Sequence, residues 1–240
     1  IILFGFVQTD TPLFGIEKDL SANIRIAGPI VAVWFIFFSI PFLLKIKNFS
    51  KDEKTQKENL FFEVIKNIKS LFSNSNKGRF LLSRMIYTDG LNTLFAFGGL
   101  YAAGTFNMSF SEIIIFGILI NITAGLGALF FSYLEDKVGP KYVINLSLIF
   151  LIVIGGITLF LNSKEWFLVF GSALGFFIGS IQSSSRSFMS RYIVNGNNAE
   201  TFGIYAVSGK CTAFLGPAIL ALIVTIFDSQ RVGMASIIAF

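Results

Sequence analysis

The chain has 240 residues, 54% hydrophobic and only 14% charged, with 30 phenylalanines. A soluble domain carries about 45–50% apolar and about a quarter charged residues, so composition excludes an ordinary water-soluble globule and indicates an integral membrane protein. The net charge of +5 is then a matter of where lysine and arginine lie, not a nucleic-acid footprint. One cysteine and no histidine exclude an internal disulfide and a Cys/His metal site.

Taken in order, an apolar remnant over residues 1–7 begins without Met, and a polar connection, QTDTPLFGIEKDLSANIRIAG, follows it. A span over 29–44 is closed by Lys45 and Lys47. The longest polar segment, 47–77, holds ENLFFEVIKNIKSLF, in which Phe61, Val64, Ile65, Ile68, Leu71 and Phe72 recur at helical spacing between lysines. That is the pattern of an amphipathic helix lying on a membrane surface or on the ends of a bundle; a solvated linker is its plainer reading. Spans follow over 79–104, 110–134, 141–161, 166–190 and 201–227, joined by FNM, EDKVGP, NSKE, VNGNN and DSQR. Each approaches or exceeds the roughly 18–20 residues a helix needs to cross a bilayer, and connections this short join antiparallel neighbours. The sequence ends in GMASIIAF, nine residues after Arg231, inside another apolar run. The expected fold class is all-α and membrane-integral, with about six complete transmembrane helices, partial ones at both ends, and a longer parent chain.

Basic residues orient the bundle. The side with the 47–77 segment and the loops near 137–141 and 191–200 holds twelve of them, against Lys18, Arg25, Lys164 and Arg231 on the other. Cytoplasmic loops carry the excess, which makes the 47–77 segment cytoplasmic. Arg84, Arg186 and Lys210 remain within spans.

Those internal charges matter because an ionisable group in hydrocarbon costs a few kcal/mol or more and commonly marks a cavity, a partner or a pathway. In RMIYTDGLNT, Arg84 lies shallow enough to snorkel. Asp89 lies about 16 Å along its helix at 1.5 Å per residue and is too short to do so. Five positions separate the two, leaving them about 140° apart on an ideal helix. Asn92 and Thr93 are better placed neighbours for Asp89, and Lys210 lies at a similar depth on another span. A midplane polar site of Asp89, Asn92 and Lys210 is expected, with Arg84 and Arg186 on its cytoplasmic side and Tyr87 a further residue of the substrate or ion pathway. A purely structural Asp89–Lys210 tie is the competing reading. Gly171, Gly175 and Gly179, four apart, and Gly117, Ala124, Gly125 and Ala128 put small residues on helix faces where backbones approach closely. They suit a rocking interface or static packing alike. No nucleophile–base pair, phosphate-binding loop or metal spacing is present in the sequence, so no catalytic residues and no cofactor are expected.

The segment SYLEDKVGPK resembles the cytoplasmic loop motif of the major facilitator superfamily: Asp136, Lys137, Gly139 and Lys141 fit it, Ser132 replaces the usual Gly, and Pro140 interrupts the basic pair. SRMIYTDGLNTLFAFGGLYAAGTF, SSSRSFMSR and FGIYAVSGKCTAFLGP resemble the vacuole-effluxer-like branch of that superfamily. The resemblance implies about twelve helices in two six-helix halves. Residues 1–46 would then be the end of helix 5 and helix 6, 47–77 the central cytoplasmic loop, and 78–240 helices 7 to 11 with the start of helix 12. It also implies a secondary transporter of a small polar solute, amino acids foremost, rocking around a midplane site. Asp89 would carry a coupling proton or Lys210 meet a solute carboxylate, and Asp136 and Lys137 would belong to a cytoplasmic latch. Its partners would be solute and membrane lipid, without nucleic acid. The alternative is a membrane scaffold or receptor that kept the fold. A Lys-, Phe- and Asn-rich composition suits an AT-rich bacterial genome and hence a bacterial inner membrane; a eukaryotic source would make the membrane vacuolar or lysosomal.

Overall fold

A computed structural model of the chain describes residues 25–45, 75–191 and 198–240. The segments expected to form the amphipathic cytoplasmic helix and the apolar remnant lie outside them. Regular structure among the described residues is helical throughout: α1 Ala27–Lys45, α2 Ser75–Phe106, α3 Phe110–Val138, α4 Pro140–Phe160, α5 Lys164–Arg191, α6 Asn198–Ser208, α7 Leu215–Phe227, α8 Gln230–Ala235 and a closing 3-10 turn, Ser236–Ala239. Helices α1, α3, α4 and α5 are long and apolar enough to cross a membrane; together with the composition they make the chain an integral membrane protein.

Residues 1–60 and 61–240 form two separate compact units. In the first, α1 is apolar along its whole length, buries none of its residues, and ends on Lys45. Its Ser39 hydroxyl donates back to the Phe35 carbonyl at 2.7 Å, so its polar atom is satisfied within the helix.

The second unit holds α2 to α8. Helix starts and stops there follow local chemistry. At α3, Ser109 and Glu112 form a reciprocal capping box, with the Ser109 amide donating to the Glu112 carboxylate at 2.8 Å. The same Glu112 pairs with Lys164 at 2.5 Å and so ties the start of α3 to the start of α5. At its other end α3 stops at Gly139, whose φ of 85° and ψ of 157° suit only glycine, and Pro140 opens α4.

The core of this unit is a slab in which α5 packs along both α3 and α4. Glycines set the α3–α5 spacing: a Cβ on Gly179 would overlap the Ala124 carbonyl, one on Gly127 the Phe176 carbonyl, and one on Gly171 would stand 2.7 Å from the Phe116 ring. Buried serines of α5 then bond to its neighbours, Ser180 to Ser147 of α4 at 2.6 Å and Ser184 to Glu135 of α3 at 2.6 Å.

The expected span over 201–227 is not one helix. It is split into α6 and α7 by a turn over residues 209–214. Pro217 has no N–H for the Ala213 carbonyl, and its ring would crowd that carbonyl in a continuous helix. In the first turn of α7 the same residue is tolerated, because that N–H has no helical partner anyway.

Candidate functional site

The break between α6 and α7 lies against α2 at the stretch RMIYTDGLNT. Helix ends leave backbone groups unpaired, carbonyls at the C-terminus and N–H groups at the N-terminus. A side chain of α2 meets each end. Arg84 donates to the Tyr205 carbonyl at 2.5 Å, in the last turn of α6, and to the Ser208 hydroxyl at 2.8 Å. Its guanidinium also lies 3.5 Å over the Tyr205 ring, a cation–π contact. Asp89 accepts from the Gly216 N–H at 2.8 Å, at the start of α7. A cation thus faces the negative end of one half-helix, and an anion faces the positive end of the other.

Two glycines make room for this. A Cβ at Gly209 would stand 2.7 Å from an Arg84 guanidinium nitrogen, and one at Gly216 would overlap the Thr93 hydroxyl. Thr93 is fully buried and donates to the Asp89 backbone carbonyl at 2.8 Å, while Thr212 in the turn donates to the Met85 carbonyl at 3.1 Å. Asp89 itself is 1% exposed; one carboxylate oxygen takes the Gly216 N–H and the other has no hydrogen-bond partner among the described residues.

Of the expected pathway residues, Arg84 and Asp89 both meet the break, one at each of its ends. Tyr87 points the other way and shares a 2.7 Å hydrogen bond with Ser185 of α5. Lys210 sits exposed on the turn and forms no ion pair among the described residues, so the polar partner of Asp89 is a backbone amide. Asn92 and Arg186 are also exposed.

Helices α2, α3, α4 and α5 with residues 234–240 line a cavity of about 560 Å³, to which neither Arg84, Asp89 nor the 209–214 turn contributes. Its wall is mainly apolar, with Ser83, Tyr87, Asn121 and Thr158 among its polar positions; Tyr87 is the one expected pathway residue that lines it.

At the α3–α4 connection, Asp136, Lys141 and Ser132 are exposed, and Lys137 lies 4.4 Å over the Tyr133 ring of its own helix. The buried member of this motif is its neighbour Glu135, 6% exposed, which accepts from Ser184 and stands 3.5 Å from Arg191. Sequence reasoning passed over Glu135 because the motif draws attention to Asp136. It passed over Gly216 as well, although Gly216-Pro217 inside an apolar run is a readable break signal.

The chain matches, over residues 2–240, the family model described as vacuole effluxer Atg22 like. The uncharacterized MFS-type transporter YxiO of Bacillus subtilis is 20% identical over 93% of this chain and 52% of its own length. Autophagy-related protein 22 of Vanderwaltozyma polyspora is 28% identical over 88% of this chain and 47% of its own. The same-named protein of Cryptococcus neoformans is 24% identical over 88% and 41%. The chain therefore spans about half the length of the curated relatives it matches. No solved structure matches it.

Proposed function

The chain belongs to the vacuole effluxer Atg22-like family, and on that footing we propose that it is the C-terminal part of a secondary active transporter that moves a small solute across its membrane by alternating access. The observation that carries this reading is Asp89: a carboxylate 1% exposed, with one oxygen unpartnered, docked on the start of a half-helix inside a membrane bundle. Ionisable groups at such depth mark pathways, and interrupted helices in transporters place their free ends at binding sites. Asp89 is the residue assigned to the coupling proton. The family's description as a vacuole effluxer and one relative's printed name, an MFS-type transporter, support transport over catalysis.

Amino acids are the proposed solutes, carried over from the family resemblance. The largely apolar wall of the 560 Å³ cavity, with Tyr87 among its polar groups, favours those with a neutral side chain over charged ones. The test is transport of a radiolabelled amino-acid mixture by the full-length protein in proteoliposomes under an imposed pH gradient. Wild type is expected to accumulate or release label in response to the gradient, and Asp89→Asn to lose that response. Gradient-driven transport unchanged in Asp89→Asn would remove the coupling role; a wild type inert to every amino acid would remove the proposed solute class.

A further inference from the structure

The α6–α7 break is built more weakly than the helices on either side. Its backbone bonds are mostly of the tight i→i−3 kind, Lys210 to Val207 at 2.9 Å, Ala213 to Lys210 at 3.3 Å and Leu215 to Thr212 at 2.8 Å, a pattern with poorer geometry than an α-helical ladder. No donor reaches the carbonyls of Gly209, Cys211 or Ala213 among the described residues. Helix α6 has only 11 residues, a length marginal on its own. Besides Arg84, its attachment among the described residues is a small apolar cluster of Ile204 and Tyr205 with Leu81 and Met189. The α3–α5 slab, by contrast, is locked backbone to backbone at Gly127 and Gly179. If one part of this unit moves, the break is where its bonds are fewest.

We propose that residues 209–214 are a hinge at which α6 pivots against α7, and that Arg84 and Asp89 are the positioning residues that hold it closed. Both project from one continuous helix, α2, so a tilt of α2 acts on the two half-helices together. The half-partnered Asp89 carboxylate keeps the closed state from being over-stabilised, as a gate that must reopen requires. Hinges in transport and closure devices are short non-helical stretches of this sort. The inference rests on the transport reading only for its place in a cycle.

The test is hydrogen–deuterium exchange of the full-length protein in nanodiscs, comparing peptides over 209–217 with peptides over α3. Arg84→Gln removes the guanidinium from the α6 end and Asp89→Asn the charge from the α7 end. Each is expected to speed exchange over 209–217 by about tenfold, the scale of one lost charged hydrogen bond, with α3 unchanged. Arg84→Lys, which keeps charge but not the fork or the stacking, is expected to restore part of the protection. Should Arg84→Gln fail to accumulate, Asp89→Asn and Arg84→Lys give the same reading. Unchanged exchange at 209–217 in these variants, or a rise spread equally over α3, overturns the hinge. Exchange needs no transported solute, so failure of the transport assay and failure of the hinge are separate results.

Discussion

Asp89 and Glu135 are the buried carboxylates among the described residues, and the chain satisfies them by different means. Asp89 rests on a backbone amide at a helix start, where the macrodipole favours an anion. Glu135 sits in the last turn of α3, where the dipole opposes it, and is held by the Ser184 hydroxyl at 2.6 Å with Arg191 at 3.5 Å. Burial decides which of those two partners matters. Arg191 is half exposed, and a screened pair of that kind contributes within about 1 kcal/mol. The buried hydroxyl bond to a charged acceptor is on the scale of about 1.5–3 kcal/mol. Ser184→Ala is therefore expected to destabilise the protein more than Arg191→Gln, measured as unfolding in mixed detergent. The reverse order would mean that the ion pair is the stronger restraint.

At the scale of elements, α5 ties α2, α3 and α4 together. Ser180, Ser184 and Ser185 each share one hydroxyl bond, with α4, α3 and α2 in turn. Where both partners are neutral, as at Ser180 and Ser185, such bonds between spans average only about 0.6 kcal/mol in double-mutant cycles, because the unfolded helix in lipid finds partners too. A cycle of Tyr87→Phe with Ser185→Ala should accordingly return a coupling of about 0.6 kcal/mol. Glycine contacts carry more. At Gly179 a side chain meets the Ala124 carbonyl, a backbone atom that cannot turn aside. Gly179→Ala is expected to cost about 1–3 kcal/mol by overpacking, read in the same unfolding assay, whereas Gly117→Ala, which has open space around it, should be silent. The four-residue spacing of Gly171, Gly175 and Gly179 made this face legible in the sequence. The serine ties were not legible, because a run such as SSSRSFMS states polarity without naming the helix that each hydroxyl will meet.

Over the whole molecule, hydropathy and short connections were enough to place helices α2 to α5, since length and apolar content alone set where a chain can lie in a bilayer. The α6–α7 break escaped because Cys211, Thr212, Ala213, Phe214 and Leu215 keep the run membrane-compatible, so only backbone chemistry at Gly209, Gly216 and Pro217 betrays it. Depth along a helix was also a poor guide: it led to an expected Lys210 partner for Asp89, yet Lys210 is exposed on the turn, and depth carries no information about azimuth. The same limit does not touch orientation, which needs depth alone. The α3–α4 connection, with Lys137 and Lys141, is assigned to the cytoplasm by its basic residues, and the α4–α5 connection at Asn162 to the opposite face. In a cysteine-free background of the full-length protein, Asn162→Cys is expected to react with a membrane-impermeant maleimide in intact cells. Lys141→Cys should react only after the membrane is opened. Both positions are exposed, so burial does not confound the comparison. The opposite pattern would invert the bundle.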